Sequence, residues 1–87
     1  MNNALLREIT FNGLNPSIVE ELDGGITYIG YCKFGTQTEN TKSWCIKRVQ
    51  VNGNITTQKW AKGSLNFNLK WSERANYEYH FPKQQQL

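Results

Sequence analysis

Trp44-Cys45-Ile46-Lys47-Arg48-Val49-Gln50-Val51-Asn52-Gly53-Asn54-Ile55-Thr56-Thr57-Gln58-Lys59-Trp60-Ala61 decides the fold. Both halves are rich in β-branched and aromatic residues, which suit a pleated, half-buried surface. Between them Asn52-Gly53 is the strongest short hairpin signal, because a type I′ turn needs φ > 0 at both central residues. The spacing predicts strands at Trp44–Val51 and Ile55–Ala61. Trp44 and Ile46 share one parity, and Val49 and Val51 the other. That switch implies either a bulge near Lys47-Arg48 or two partly buried faces.

Upstream, Ile26–Phe34 is a glycine-bounded run with apolar residues on both parities, the pattern of a central strand. Gly30 sits in its middle, where glycine weakens a strand unless something bulky crosses there or the strand bends. Downstream, Tyr77, Tyr79 and Phe81 alternate with Asn76, Glu78 and His80, and Pro82 stops that strand. Residues 82–87 read as a polar tail. Leu65, Phe67, Leu69 and Trp71 fit a period of two, but Asn66, Asn68 and Ser72 disfavour a ladder, so a short helical or irregular segment near residues 65–73 is expected rather than a strand. On a helical turn there Phe67 and Trp71 would meet at i,i+4. Leu14–Gly25 reads as an irregular connector with at most one helical turn. Ala4–Phe11 fits a strand or a helical turn equally. The expected architecture is all-β: one domain over residues 1–87, a small antiparallel β-sandwich or partly closed barrel of about five strands. Residues 1–25 are its arm and connector, 26–81 its β core.

Eighty-seven residues make one domain with a thin core, and 3 Trp, 4 Tyr and 4 Phe must supply much of it. Tyr28, Trp44, Ile46 and Phe67 are expected in one buried cluster, with Trp71 beside them and the Arg74 guanidinium on an aromatic ring or on backbone carbonyls. Leu5, Leu6, Ile9, Phe11, Leu14, Ile18, Val19 and Leu22 precede Ile26, too many large apolar side chains for a free arm. Either that arm adds a strand to its own sheet, or it lies on a neighbouring subunit by strand addition or groove binding; on the second reading Leu5, Leu6, Ile9, Phe11, Ile18 and Val19 are candidate assembly contacts.

The chemistry is sparse. One His, scattered acids, no Gly-rich phosphate loop and no Ser-centred elbow leave no nucleophile–base–orienter set, so neither an enzyme nor a cofactor or metal is expected. No membrane span and no secretory leader are expected. Cys32 and Cys45 form no zinc or disulfide framework, and they read as two thiols, with a bridge between neighbouring strands left open. The net charge is +3, from ten scattered basic residues. Their interleaving with Tyr28, Tyr31, Trp44 and Trp60 fits a small core, or an electropositive face that stacks bases.

Taken in order, Tyr28-Ile29-Gly30-Tyr31, Gly35-Thr36, Trp44-Cys45-Ile46-Lys47-Arg48, Trp60-Ala61-Lys62-Gly63, Asn66-Phe67, Trp71, Arg74-Ala75 and Tyr77 resemble small virion-associated proteins of tailed bacteriophages. The match covers about residues 26 to 79. Cys32 stands where that pattern usually has Ala, and Leu69 follows Phe67 by two residues rather than three. The resemblance implies a non-enzymatic, multi-copy structural component of the virion, made in the bacterial host cytoplasm. It would touch copies of itself and other proteins of the capsid, neck or tail. The competing expectation is a small phage-encoded single-stranded nucleic-acid-binding or host-directed binding protein.

Overall fold

Each strand pairs antiparallel with the next in chain order, so the sheet is a five-stranded meander. A computed structural model describes Leu14 and residues 16–82. The expectations placed on Leu5, Leu6, Ile9, Phe11 and the tail beyond Pro82 lie outside the described residues. The strands are β1 (Ile18–Leu22), β2 (Ile26–Cys32), β3 (Trp44–Asn52), β4 (Ile55–Ala61) and β5 (Tyr79–His80). A single 3₁₀ turn, Trp71–Glu73, falls inside the segment expected to be helical or irregular. The protein is all-β, and its sheet is open rather than closed into a barrel.

The connector expected before Ile26 is in fact β1. Ile18 pairs with Gly30, Val19 with Ile29 and Leu22 with Ile26. Two signals compete in Ile18-Val19-Glu20-Glu21-Leu22. The spacing of Ile18, Val19 and Leu22 resembles a helical turn, but Asp23-Gly24-Gly25 reverses the chain so soon that pairing with β2 wins. Gly24 and Gly25 supply the left-handed conformations of that turn, with φ of 82° and 79°. Ile18 and Val19 accordingly pack on opposite faces of their own sheet.

No bulge interrupts β3: its register runs unbroken from Trp44↔Cys32 to Gln50↔Ile26, and from Lys47↔Trp60 to Asn52↔Ile55. The parity switch comes instead from two buried faces. The first face carries Ile29, Tyr31, Cys45, Val49 and Trp60, with Val19, Leu65 and Phe67 against them. The second carries Trp44, Ile46, Ala61, Leu69, Trp71 and Tyr79, with Ile18, Tyr28, Cys32 and Tyr77 against them. Each large side chain fully buried in this way contributes about 1.5–3 kcal/mol. The expected single cluster is therefore two. Trp44, Ile46 and Tyr28 share a face, whereas Phe67 packs on the other and does not meet Trp71. The reason is an antiparallel bridge of Leu69 to Trp44, closed by two backbone hydrogen bonds of 2.9 and 3.0 Å, which carries the chain past the end of β3. Leu65 and Phe67 stay on the near face, and Leu69 and Trp71 reach the far one.

The hairpin turn also differs from the expected type. Its central residues are Gly53-Asn54, and only Gly53 has positive φ, 64°. Glycine at the first central position alone is the type II′ pattern, which matches strand twist equally well.

The sheet separates the thiols. Cys45 lies opposite Tyr31 on the first face, and Cys32 lies opposite Trp44 on the second, so no bridge joins them. Burial pushes the Cys45 thiol up to about 12. A thiol reagent at pH 8 is expected to leave Cys45 unmodified in the folded protein and to label it on unfolding. Labelling of Cys45 in the native state at the unfolded-state rate would contradict this placement.

Candidate interaction surface

Lys70–Pro82 closes one half of the second face. Trp71 packs directly against Gly30, and a Cβ there would sit 2.6 Å from the Trp71 ring. Arg74 then clamps the segment. Its guanidinium stacks 4.6 Å from the Trp71 ring centre, Nη1 donates to the Trp71 carbonyl, and Nε and Nη2 donate to the two Glu20 carboxylate oxygens at 2.8 and 3.2 Å. Tyr79 Oη donates to the Arg74 carbonyl at 2.7 Å, and the Lys70 amide donates to Tyr77 Oη at 3.0 Å. The expected ring contact of Arg74 is present. Its carboxylate partner on β1, 54 positions away, has no local sequence signal.

The Arg74 hydrogen bonds hold the Glu20 carboxyl below its ordinary value. A depressed acid stabilises the fold above its unfolded pKa, and that contribution is lost as pH falls through the folded value. Both side chains are partly solvated, so the pair is worth about 0.5–1 kcal/mol. Glu20→Gln is expected to cost that much at pH 7 and progressively less at acid pH, as the wild-type carboxyl takes up its proton. Equal costs at pH 7 and at acid pH, by chemical denaturation, would show that charge plays no part.

The other half of the second face, toward the Gly53-Asn54 turn, is less covered. Arg48 and Lys59 sit directly opposite each other on β3 and β4. Like charges so placed repel, and each is held on a ring instead. Arg48 lies 4.8 Å from the Tyr79 ring centre and Lys59 5.2 Å from that of Phe81. Lys62 repeats the arrangement at 5.4 Å from Tyr77. Among the described residues no carboxylate lies within ion-pair distance of these three cations. On the same face Leu22 is 45% exposed at the β1 edge, Ile55 67% on β4 and Phe81 63% after β5.

Among the described residues the sheet also has two open edges. β5 covers only Trp60 and Ala61 of β4, so Ile55–Lys59 has no strand beside it among the described residues. Pro82 cannot extend β5 along that edge, because it has no N–H to donate. The tight turn makes Asn52↔Ile55 a hydrogen-bonded pair, and pairs alternate along an antiparallel ladder, so Thr56 and Gln58 point their backbone groups outward. β1 is the opposite edge.

Most of the aromatic residues expected near basic ones are interior. Tyr31, Trp44 and Trp60 are buried, and Lys47, also buried, lies 6.0 and 5.3 Å from the Tyr31 and Trp60 ring centres. Burial lowers the Lys47 pKa. Beyond the Trp44 end of the sheet, a groove of about 470 Å³ runs between Cys32, Trp44 and the 36–40 loop, with Trp44 Nε1 donating to the Thr38 carbonyl at 3.2 Å. Among the described residues no group of three or more His, Cys, Asp or Glu could hold a metal ion, and no helix is long and apolar enough to cross a membrane.

Comparison with known proteins finds no match to this chain among family models, curated proteins or solved structures.

Proposed function

We propose that the chain is a non-enzymatic structural subunit of a tailed-bacteriophage virion, present in many copies and acting through protein–protein contacts. The observation that carries this reading is the distribution of surface left over once the core is built. The residues of the phage-like pattern are spent on the core: Gly30, Trp44, Trp71 and Arg74 pack together on the second face, and Tyr31 and Trp60 on the first. What stays outside among the described residues is two strand edges, with Leu22 exposed at one and Ile55 at the other, and Phe81 exposed beside Lys59. Edges and exposed apolar side chains of this kind are surfaces that other chains cover. Burial of Tyr31, Trp44 and Trp60 favours protein contact over base stacking, because a stacking platform needs open ring faces.

The experiment is an early stop codon in the reading frame, followed by purification of the particles made. The expected result is incomplete or non-infectious particles, rescued by the full chain supplied in trans. Intact infectious particles of normal protein composition would overturn the proposal. Salt-dependent retardation of single-stranded DNA by the purified chain would favour the nucleic-acid reading instead.

A further inference from the structure

The two edges left open among the described residues fit each other. β1 offers Ile18-Val19-Glu20-Glu21-Leu22, with two acids and no base, and the open part of β4 offers Ile55-Thr56-Thr57-Gln58-Lys59, with one base and no acid. The four strands β1 to β4 alternate in direction from one edge to the other. A second copy in the same orientation therefore brings its β1 antiparallel to β4 of the first, and the meander continues without a break. Faces match as well. Leu22 aligns through Ile26 and Gln50 with the second face, and Ile55, opposite Asn52, lies on that face too.

We infer that copies of this chain associate head to tail, with β1 of one copy adding to the Ile55–Gln58 edge of β4 in the next. The register that fills this edge sets Ile55 against Leu22, Thr56 against Glu21, Thr57 against Glu20 and Gln58 against Val19. It covers two exposed apolar side chains with each other. It also brings Lys59 diagonal to Glu20, within reach of a long side chain. Symmetric alternatives are worse: β1 on β1 gathers four carboxylates, and β4 on β4 gathers lysines beside Arg48. Repetition of a head-to-tail contact builds a ring if the rotation closes and a filament if it does not. A strip this short makes the contact weak in dilute solution and effective where many copies are held close together. The inference rests on the reading of a multi-copy subunit. Its test uses the isolated chain, so it can fail while particle composition still upholds that reading.

The test is sedimentation equilibrium of the full chain and of two variants at exposed positions, Ile55→Lys and Leu22→Lys, each checked for unchanged circular dichroism. Wild type is expected to show a mass that rises with concentration beyond the dimer. Each variant alone is expected to associate about tenfold more weakly or worse, a loss of about 1.4 kcal/mol. Mixed, the two are expected to form a dimer of one copy each and nothing larger, because only one intact β1 edge can meet one intact β4 edge. A monomeric wild type at about 1 mM, near the weak limit of measurable association, would overturn the inference. Undiminished association by either variant alone, or no heterodimer on mixing, would overturn it equally.

Discussion

Trp44→Ala is expected to lower the unfolding free energy by about 3–5 kcal/mol, the range for truncating a buried aromatic side chain. Trp44 is almost fully buried, and its ring centre lies 5.8 Å from that of Trp71. It also anchors two loops, donating from Nε1 to Thr38 and exchanging both backbone hydrogen bonds with Leu69. Loss of the ring removes the support for Trp71 and so loosens the segment that closes the second face. Small domains have only about 5–15 kcal/mol in total. At about 4–8 °C per kcal/mol, the midpoint should fall by roughly 12–40 °C. A variant that melts within a few degrees of wild type would show that the cluster around Trp44 does not hold the fold.

Gly30→Val should be comparably damaging, by the opposite mechanism. A Cβ at Gly30 meets Trp71 Cε3 at 2.6 Å, Cζ3 at 2.7 Å and Trp44 Cε3 at 3.0 Å. These atoms belong to rigid rings packed on each other, so neither can step aside without giving up its own contacts. Overpacking of this kind costs about 1–3 kcal/mol and more where nothing can yield, so about 3 kcal/mol or more is expected. The mechanism makes a second demand. Combined with Trp71→Leu, Gly30→Val should cost less than the two single effects summed, because the smaller side chain frees the space. Strict additivity in denaturant unfolding would place the clash elsewhere.

The two central hairpin strands were readable because pattern and turn chemistry agree in Trp44–Ala61, and the sheet runs through the residues that pattern implies. The glycine in β2 was readable as a crossing point for something bulky, and Trp71 is what crosses. β1 was hidden because five residues with mixed parity satisfy a helical spacing as well as a strand, and only the partner strand decides. Phe67 and Trp71 look like one face at i,i+4 until the Leu69 bridge to Trp44 turns the chain between them. The Arg74 ring contact follows from a local spacing, whereas its Glu20 partner depends on where β1 lies. The surface was the least legible part. Leu22 reads as part of a connector and Ile55 as an ordinary strand residue, and their exposure follows from where strands end and which edges remain open.

The most direct test of the structural-subunit account is the absolute copy number of this chain in purified, washed particles, measured by mass spectrometry against isotope-labelled peptides such as that ending at Lys59. The account predicts a fixed number per particle, well above one and matching the rotational symmetry of the capsid, neck or tail, that survives a high-salt wash. Absence of the chain from infectious particles, or a trace amount that varies between preparations and washes away with salt, would contradict it.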